Sequence, residues 1–423
     1  MPSEQPLEKS APARGLFSPE AILTVLDAGL AIGFIALLAQ LLLSPREMAA
    51  TDFSVFRAGW WLVRHAPAQL YDAAAQADAE QSIMGHDGSG PFTGGFMAFL
   101  HPPQAALAGS PLGWVAEQLG GPAAFRLWMG ASLTFAGLLV GRIRRELSLS
   151  ARETVVAAIA LLAFTPFFDA VREGQVSVLL ALAAMAIPVA VREGRYGTAA
   201  AWLLALSIKP QTLPPLIAVL CARREWRVLS WASLFFLLAF LGTAFALGPS
   251  VWWDYATHVR PLESLFGAGT PIYMPTLRGI LSRNLGPEHA GTISGITLAS
   301  WLVAIVVAYV RADRRRRRGE PATEDFAFGY AVGLLTSPHL FTQDVLLWVP
   351  AIALGMAARR GEARPGRNVA RAVLATPLWF AASKLADGGA LARLPIDPAM
   401  LPLIVATLWI GRRGAAPAPE VPV

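Results

Sequence analysis

Apolar runs of about 18 to 23 residues recur along this chain, and a helix of that length crosses a bilayer core roughly 30 Å thick. The clearest runs cover residues 21–43, 231–247 and 293–310. No single run decides the class, because it is the repetition that carries the signal. The pattern predicts an all-α integral membrane protein with about twelve transmembrane helices.

Arginine-rich segments separate these runs and set the predicted orientation. By the positive-inside rule, such segments lie in the cytoplasm. Placing every cluster there, together with Lys9 and Arg14, leaves one alternating path with both termini cytoplasmic in a bacterial inner membrane. The predicted spans are 21–43, 123–141, 153–167, 174–191, 198–208, 211–221, 228–247, 292–310, 325–337, 344–357, 369–385 and 398–410.

Residues 96–119 are apolar but do not fit this path, since a span there would place the arginines near residue 142 outside. His101-Pro102-Pro103 and Pro111 interrupt the segment, which favours a juxtamembrane or re-entrant helix packed on protein. An ordinary extra transmembrane helix is the alternative. The path predicts one polytopic domain over 1–413, with outer loops at 44–122 and 248–291 and a disordered tail at 414–423.

Composition supports this class and excludes others. Hydrophobic residues make up 55% of the chain and charged residues only 15%, against roughly a quarter charged in soluble proteins. The net charge of +6 is explained by basic cytoplasmic loops rather than by nucleic-acid binding. The single cysteine, Cys221, excludes an internal disulfide framework, and the cytoplasmic loops carry no phosphate-binding motif.

Asp52 opens a segment in which Phe53, Phe56, Trp60 and Val63 fall on one helical face. The pattern predicts an amphipathic helix at the membrane interface, with tryptophans at the level of the lipid headgroups. Asp52 is then either the N-cap of this helix or a general base held at the membrane surface. The pattern alone leaves both interpretations open.

Further polar residues occur at the predicted outer ends of helices. Arg172 and Gln175 lie in a dense polar turn, which is either ordinary solvated surface or the wall of a polar cavity. Lys209, at a proline-rich helix break, either snorkels to the interface or binds a phosphate group as a compact charge. His339 is either an ordinary hydrogen-bonding residue or a catalyst, and its predicted location on the side of Asp52 strengthens the second interpretation.

The ordered motifs between residues 51 and 350 resemble those of glycosyltransferase family 87. This family has the GT-C fold and includes polyprenyl-phosphate-mannose-dependent alpha-mannosyltransferases. The features that carry the resemblance are, in chain order, Asp52-Phe53, Leu70-Tyr71-Asp72, His101-Pro102-Pro103, Ser110-Pro111-Leu112, Gly174-Gln175-Val176, Lys209-Pro210-Gln211 and Ser337-Pro338-His339.

The resemblance implies a GT-C-like hexosyltransferase of the EC 2.4 class. Such an enzyme moves a sugar, mannose or another hexose or pentose, from a polyprenyl-phosphate donor to a hydroxyl of a glycolipid or glycan acceptor on the periplasmic face, with inversion. Partners are then the donor, the acceptor and membrane lipid, with no nucleic acid, cofactor or metal expected. The resemblance assigns catalysis to Asp52, as general base, and His339, and substrate binding to Lys209, Gln175, Arg172, Tyr71 and His101.

A multi-pass transporter or lipid flippase is the competing interpretation, since it would also have about twelve spans and polar residues near helix breaks. Transporters place such residues near the bilayer midplane and often contain internal repeats. Here the polar motifs are predicted at the outer surface, and no fixed-period repeat is present. The sequence therefore favours the enzyme.

Overall fold

The computed structural model describes residues 28–29, 31–39, 52–84, 97–264, 274–359 and 400–411, and no strand occurs among them. The all-helical prediction is confirmed over these residues. The predicted span 369–385 and the predicted tail 414–423 lie outside them. In chain order the helices are α1 (Asp52–His65), α2 (Ala73–Met84), α3 (Pro103–Leu119), α4 (Gly121–Leu147), α5 (Ala151–Ala163), α6 (Thr165–Arg172), α7 (Ser177–Arg192), α8 (Tyr196–Leu206), α9 (Pro214–Arg223), α10 (Trp226–Leu247), α11 (Val251–Ser264), α12 (Leu277–Leu285), α13 (Ala290–Arg317), α14 (Thr323–Leu335), α15 (Trp348–Ala358) and α16 (Met400–Gly411).

Membrane-spanning length is clear for three of the described helices. By length and composition, α4, α10 and α13 with the turn before it could each cross a bilayer, and the bent pair α5 and α6 raises the number to four. Helices α7 and α8 are apolar but shorter. Helices occur at the predicted spans that fall within the described residues, whereas the count of about twelve crossings stays a prediction.

A bend of 61° separates α5 from α6, where the sequence predicts one span over 153–167. Pro166 lies in the first turn of α6. Proline has no N–H to continue the helix before it, but it is well tolerated where a new helix begins. The chain therefore turns at Phe164 and continues as a second, short helix to Arg172.

Helix α1 buries its aromatic face in protein. Phe53, Phe56 and Trp60 are almost fully buried, so the face predicted to lie among lipid headgroups packs on neighbouring helices instead. Close contact with α3 depends on glycine, because a Cβ at Gly109 would fall 1.9 Å from Trp60 Nε1 and one at Gly113 would fall 2.8 Å from Trp60 Cβ. The helical period identifies the apolar face but not its partner.

Polar side chains form hydrogen bonds with the main chain of residues 97–101, the segment that leads into α3. Gln76 of α2 is buried and accepts a hydrogen bond at 2.9 Å from the main-chain N–H of Phe99. Glu80, one turn further along, accepts one at 3.1 Å from Met97. Tyr71 donates its hydroxyl proton to the main-chain oxygen of His101 at 2.7 Å. Residues 97–101 are thus held in place by side chains of α2 and of the turn before it.

The two ends of the helical bundle differ in their polar contacts. At one end, α7 closes against α4 through Arg192 and Glu146, whose charged atoms are 2.6 Å apart. At the same end, buried and partly buried arginines join α9, α13, α14, α15 and α16. These contacts are Arg223–Asp325, Arg311–Glu324, Arg315–Glu324, Arg316 to the Ala222 carbonyl and Arg359 to the Trp409 carbonyl. At the opposite ends of the same helices lie Ser177, Lys209 and the 337–344 segment.

Candidate active site

The turn that ends α6 shapes one wall of the candidate site. The N–H of Gln175 bonds to the carbonyl of Ala170 at 2.8 Å, and that of Gly174 bonds to Val171 at 3.2 Å. This pair of bonds is a Schellman motif, which requires the left-handed conformation at its second-last residue. Gly174 has φ +69°, and a Cβ there would fall 2.6 Å from Phe53 Cβ. Glycine therefore lets the turn lie directly against the start of α1.

Asp52, the first residue of α1, faces this turn. Its Oδ2 accepts a hydrogen bond from Gln175 Nε2 and a longer one, at 3.4 Å, from Gln343 Nε2. The N–H of the next residue, Phe53, donates to the main-chain oxygen of Glu173 at 2.8 Å. The carboxyl group is therefore held between α1, the end of α6 and the segment before α15.

The surroundings of Asp52 raise its pKa to about 7. Burial is the largest cause, because desolvation disfavours the charged carboxylate, and the carboxylate of Glu173 adds to it. The amide of Gln175 and the charge of Lys209 oppose this rise. Burial likewise raises the pKa of Glu173, and the neighbouring Arg172 guanidinium opposes this rise. Asp52 is therefore able to take up a proton near neutral pH.

Lys209 forms a buried ion pair at the centre of the site. Its Nζ lies 2.5 Å from Asp344 Oδ1, and the hydroxyl of Ser177 donates to the same oxygen at 2.6 Å. The side chains of Lys209 and Asp344 are 8% and 2% exposed. Lysine therefore does not snorkel to the interface here, but links the break after α8 to the start of α7 and the segment before α15.

His101 lies next to Lys209 and is a neutral acceptor rather than a cation. Its Nδ1 contacts the main-chain oxygen of Ile208 at 3.3 Å, and its ring stacks on Phe56 at 4.6 Å. A carbonyl only accepts, so Nδ1 carries the proton and Nε2 is left as an acceptor. Burial and the charge of Lys209 lower the pKa of His101 to about 3. The imidazole is therefore uncharged at neutral pH.

His339 and Arg172 lie at the edges of this group. The main-chain oxygen of His339 accepts a hydrogen bond at 2.9 Å from Gln211, two residues after Lys209. The His339 ring packs edge-on against Phe341 at 5.0 Å. Arg172 is about half exposed and lies 2.7 Å from Glu173 and 3.7 Å from Asp169. Arg172 thus reaches Asp52 only through Glu173.

All seven residues singled out from the sequence lie in one connected set of contacts. Gln175 contacts Asp52 directly, and Gln343 links Asp52 to the neighbouring pair of Asp344 and Lys209. The other four residues are connected less directly. Tyr71 bonds to the main-chain oxygen of His101, and the His101 ring contacts the main-chain oxygen of Ile208, next to Lys209. The main-chain oxygen of His339 accepts a hydrogen bond from Gln211, and Arg172 pairs with Glu173.

Sequence reasoning missed Glu173, Ser177, Gln343 and Asp344 as members of the site. In the sequence, Asp344 marks only the boundary of a predicted span, and Glu173 lies between Arg172 and Gln175 in the polar turn. One available signal was an acidic residue directly before the apolar Val345, since ionisable groups at membrane depth are rare and paired. Within the described part of the chain, no group of three His, Cys, Asp or Glu side chains could hold a metal ion.

Comparison with known proteins agrees with the motifs. The sequence model of glycosyltransferase family 87 matches residues 99–338, more than half of the 423-residue chain. Asp52 and Tyr71 precede the matched segment, and His339 follows it directly. No curated protein and no solved structure matches the chain. The resemblance is confirmed, and together with its long apolar helices it identifies the chain as a membrane glycosyltransferase that belongs to glycosyltransferase family 87.

Proposed function

We propose that this protein transfers mannose from a polyprenyl-phosphate donor to a hydroxyl of a glycolipid or glycan acceptor, with inversion at the anomeric carbon. Asp52 is the general base of this reaction. The fold is of the GT-C type, and the active site opens to the periplasmic face of a bacterial inner membrane. The chain crosses that membrane about twelve times, with both termini in the cytoplasm.

The observation that carries this proposal is the environment of Asp52. A general base works best when its pKa lies near the working pH, because it must accept a proton yet be free of one beforehand. The pKa of Asp52 is raised to about 7 by burial and by Glu173. Strongly perturbed carboxyl groups in a polar cluster are characteristic of catalytic sites.

The proposed step needs one base and a stabilised leaving group. Asp52 takes the proton of the acceptor hydroxyl as its oxygen attacks the anomeric carbon from the face opposite the phosphate. The bond from that carbon to the phosphate oxygen breaks, and the polyprenyl phosphate leaves with the electron pair. Asp52 is then protonated, and the product carries the opposite anomeric configuration.

Lys209 and His339 are the proposed partners of the departing phosphate. Negative charge develops on that group in the transition state, so nearby donors and cations lower the barrier. Asp344 forms an ion pair with Lys209 at 2.5 Å. We propose that the donor phosphate shares the ammonium with Asp344, while Arg172 and Tyr71 position the polar turn and the 97–101 segment around the sugar.

Donor specificity tests the proposal directly. Purified protein in liposomes is offered radiolabelled mannose, glucose and arabinose on polyprenyl phosphate, and the matching nucleotide sugars, with a mixed extract of membrane glycolipids as acceptor. We expect transfer from a polyprenyl-phosphate sugar, mannose foremost, and none from the nucleotide sugars. Transfer from nucleotide sugars alone would exclude the lipid donor.

The same liposomes separate an enzyme from a flippase. A flippase would move the intact polyprenyl-phosphate sugar across the bilayer without forming a new glycosidic product. Appearance of the labelled lipid on the far side with no product would support that function. Anomeric analysis of the product then tests inversion.

A further inference from the structure

Two glutamine side chains near the site each bury an oxygen that accepts no hydrogen bond from the described residues. These atoms are Oε1 of Gln104, in the first turn of α3, and Oε1 of Gln175. A buried carbonyl left without a donor is unfavourable, because it has lost its hydrogen bonds to water and gained none in the protein. Such an atom in a native protein calls for an explanation, such as a ligand or an ordered water.

The orientation of Gln104 is fixed by its neighbours. The Ser207 hydroxyl donates its only proton to the main-chain oxygen of Leu204 at 2.6 Å. Ser207 Oγ can therefore only accept from Gln104, whose Nε2 lies 3.2 Å away. A flipped amide would bring two acceptors together, so Oε1 is the atom left over.

Gln175 is fixed in the same way. When Asp52 is ionised, the form in which a general base acts, its carboxylate can only accept, so Nε2 of Gln175 is the atom that donates to it. The unsatisfied atom of Gln175 is therefore again the carbonyl oxygen. Both glutamines present a hydrogen-bond acceptor, while their N–H groups are already committed to the protein.

His101 supplies a third acceptor close to Gln104. The two residues are three positions apart, and they contact Ile208 and Ser207, which are adjacent in the chain. Because His101 Nδ1 carries the proton, Nε2 offers a lone pair. Lys209 follows Ile208 directly, so these acceptors lie beside the central ion pair.

Three acceptors without a matching donor suit hydroxyl groups and disfavour an anion, whose oxygens only accept. We propose that Gln104 is a substrate-binding residue, and that its Oε1, with Oε1 of Gln175 and Nε2 of His101, accepts hydrogen bonds from hydroxyls of the transferred sugar. This inference rests on the proposed function, since it places the sugar beside Asp52. On this proposal the three acceptors bind the hydroxyl groups of the sugar, whereas Lys209 and His339 bind its phosphate.

The test measures equilibrium binding, so it does not require turnover. Binding of polyprenyl-phosphate mannose and its 2-, 3-, 4- and 6-deoxy analogues to full-length protein is followed by tryptophan fluorescence for wild type, Gln104→Met and Gln118→Met. Gln118 is an exposed glutamine of the same helix and serves as the matched control. We expect Gln104→Met to weaken binding of the mannosyl lipid on the order of tenfold and Gln118→Met to leave it unchanged.

The deoxy series makes the inference falsifiable. The Gln104→Met loss is expected to vanish for the one analogue that lacks the partner hydroxyl. An equal loss for every analogue would mean that Gln104 only supports the fold, and no loss at all would mean that water alone fills the position. Either result overturns this inference and leaves the proposed function standing. Wild-type protein that binds none of the mannosyl, glucosyl or arabinosyl polyprenyl phosphates would contradict both.

Discussion

Asp52 is surrounded by groups that act on its pKa in opposite directions. Glu173 and Asp344 raise the pKa, whereas the amide of Gln175 and the charge of Lys209 lower it. Burial is the largest cause and leaves the pKa at about 7. Replacing one charged neighbour is therefore expected to shift the pKa of Asp52 in a direction set by the sign of the charge removed.

The rate of sugar transfer is expected to depend on pH through Asp52. Below a pH of about 7 the carboxyl is protonated and cannot accept the acceptor's proton, so kcat/KM rises as pH passes through that value. Glu173→Gln removes a neighbouring negative charge and lowers the pKa of Asp52. The rise in kcat/KM, the acidic limb of the pH profile, therefore moves to lower pH. The measurement is the pH profile of kcat/KM.

Asp169→Asn is the matched control for this profile. Asp169 lies in the same polar turn and faces Arg172 at 3.7 Å, but it is not among the groups that shift Asp52. Its loss should leave the limb in place. A profile unaffected by Glu173→Gln would show that Asp52 does not set the pH dependence.

At the residue scale, the sequence identified the residue types of the site but not their partners. In the sequence, Lys209 and His339 stand out as polar residues at predicted outer helix ends, and Asp52 stands out as the first residue of an amphipathic segment. Their partners lie far away in the chain, since Asp52 and Gln343 are 291 positions apart and Lys209 and Asp344 are 135 positions apart. Local periodicity carries no information on contacts of that range.

The helix elements around the site are joined by the Lys209–Asp344 pair. Removing one partner of a buried ion pair leaves an uncompensated charge and typically costs about 3–5 kcal/mol, whereas replacing both with apolar residues is often neutral. We therefore expect Lys209→Met and Asp344→Leu each to lower the melting temperature clearly. The double variant should recover most of the loss in a thermal-shift assay.

Catalysis by the double variant separates the two roles of Lys209. A folded Lys209→Met/Asp344→Leu protein lacks the ammonium that is proposed to meet the donor phosphate, so its kcat should fall while acceptor binding changes little. Additive losses of stability would argue against the pair. A full kcat in the double variant would remove the phosphate role.

Packing of α1 on α3 positions Asp52, and Gly109 tests it. A Cβ at Gly109 would overlap the indole of Trp60, at 1.9 Å from Nε1, so Gly109→Val must displace α1 or α3. Overpacking of this kind costs about 1–3 kcal/mol. We expect a lower melting temperature and reduced sugar transfer, because Asp52 begins α1.

Gly137→Val is the control for this substitution, since a Cβ at Gly137 of α4 meets no atom within 4 Å. It should leave stability and transfer near wild type. Equal effects of the two variants would mean that valine itself, rather than contact with Trp60, is responsible.

At the element scale, apolar runs predicted where helices occur but not how they end or pair. The bend before Pro166 and the Schellman turn at Gly174 depend on single residues that hydropathy does not resolve. The aromatic face of α1 was correctly identified as apolar, yet its partner is protein rather than lipid. Periodicity reports a face, and only tertiary contacts decide what covers it.

The described helices have an arginine-rich end and an end that holds the candidate site, and this difference predicts the orientation in the membrane. Helix α13 contains 28 residues, which at about 1.5 Å per residue is long enough to cross a bilayer. Its last turns carry partly buried arginines that contact α9, α14 and α16. The positive-inside rule places this end in the cytoplasm.

Cysteine labelling at the two ends of this helix measures the orientation. In a Cys221→Ser background, Glu288→Cys and Arg318→Cys replace exposed side chains before and after α13. We expect a membrane-impermeant maleimide to label the first variant in intact spheroplasts and the second only after permeabilisation. The reverse pattern would place the candidate site in the cytoplasm and exclude the proposed orientation.

At the scale of the molecule, the sequence predicted the membrane class, the helical fold and the family. It did so because hydropathy, arginine position and motif order are properties of the chain itself. The number of crossings is less accessible, since several helices of the described residues are shorter than a bilayer is thick. Such helices are buried by their neighbours, and their hydropathy does not distinguish a short span from a core helix.

The central claim, that Asp52 is the base of sugar transfer from a lipid phosphate, is tested most directly by Asp52→Asn. The variant keeps the shape of the side chain and removes its ability to accept a proton. Single-turnover transfer from polyprenyl-phosphate mannose is measured in protein whose melting temperature matches wild type. We predict a rate lowered by about 100-fold or more, in keeping with the usual contribution of a general base. A folded variant that transfers at the wild-type rate would contradict the claim.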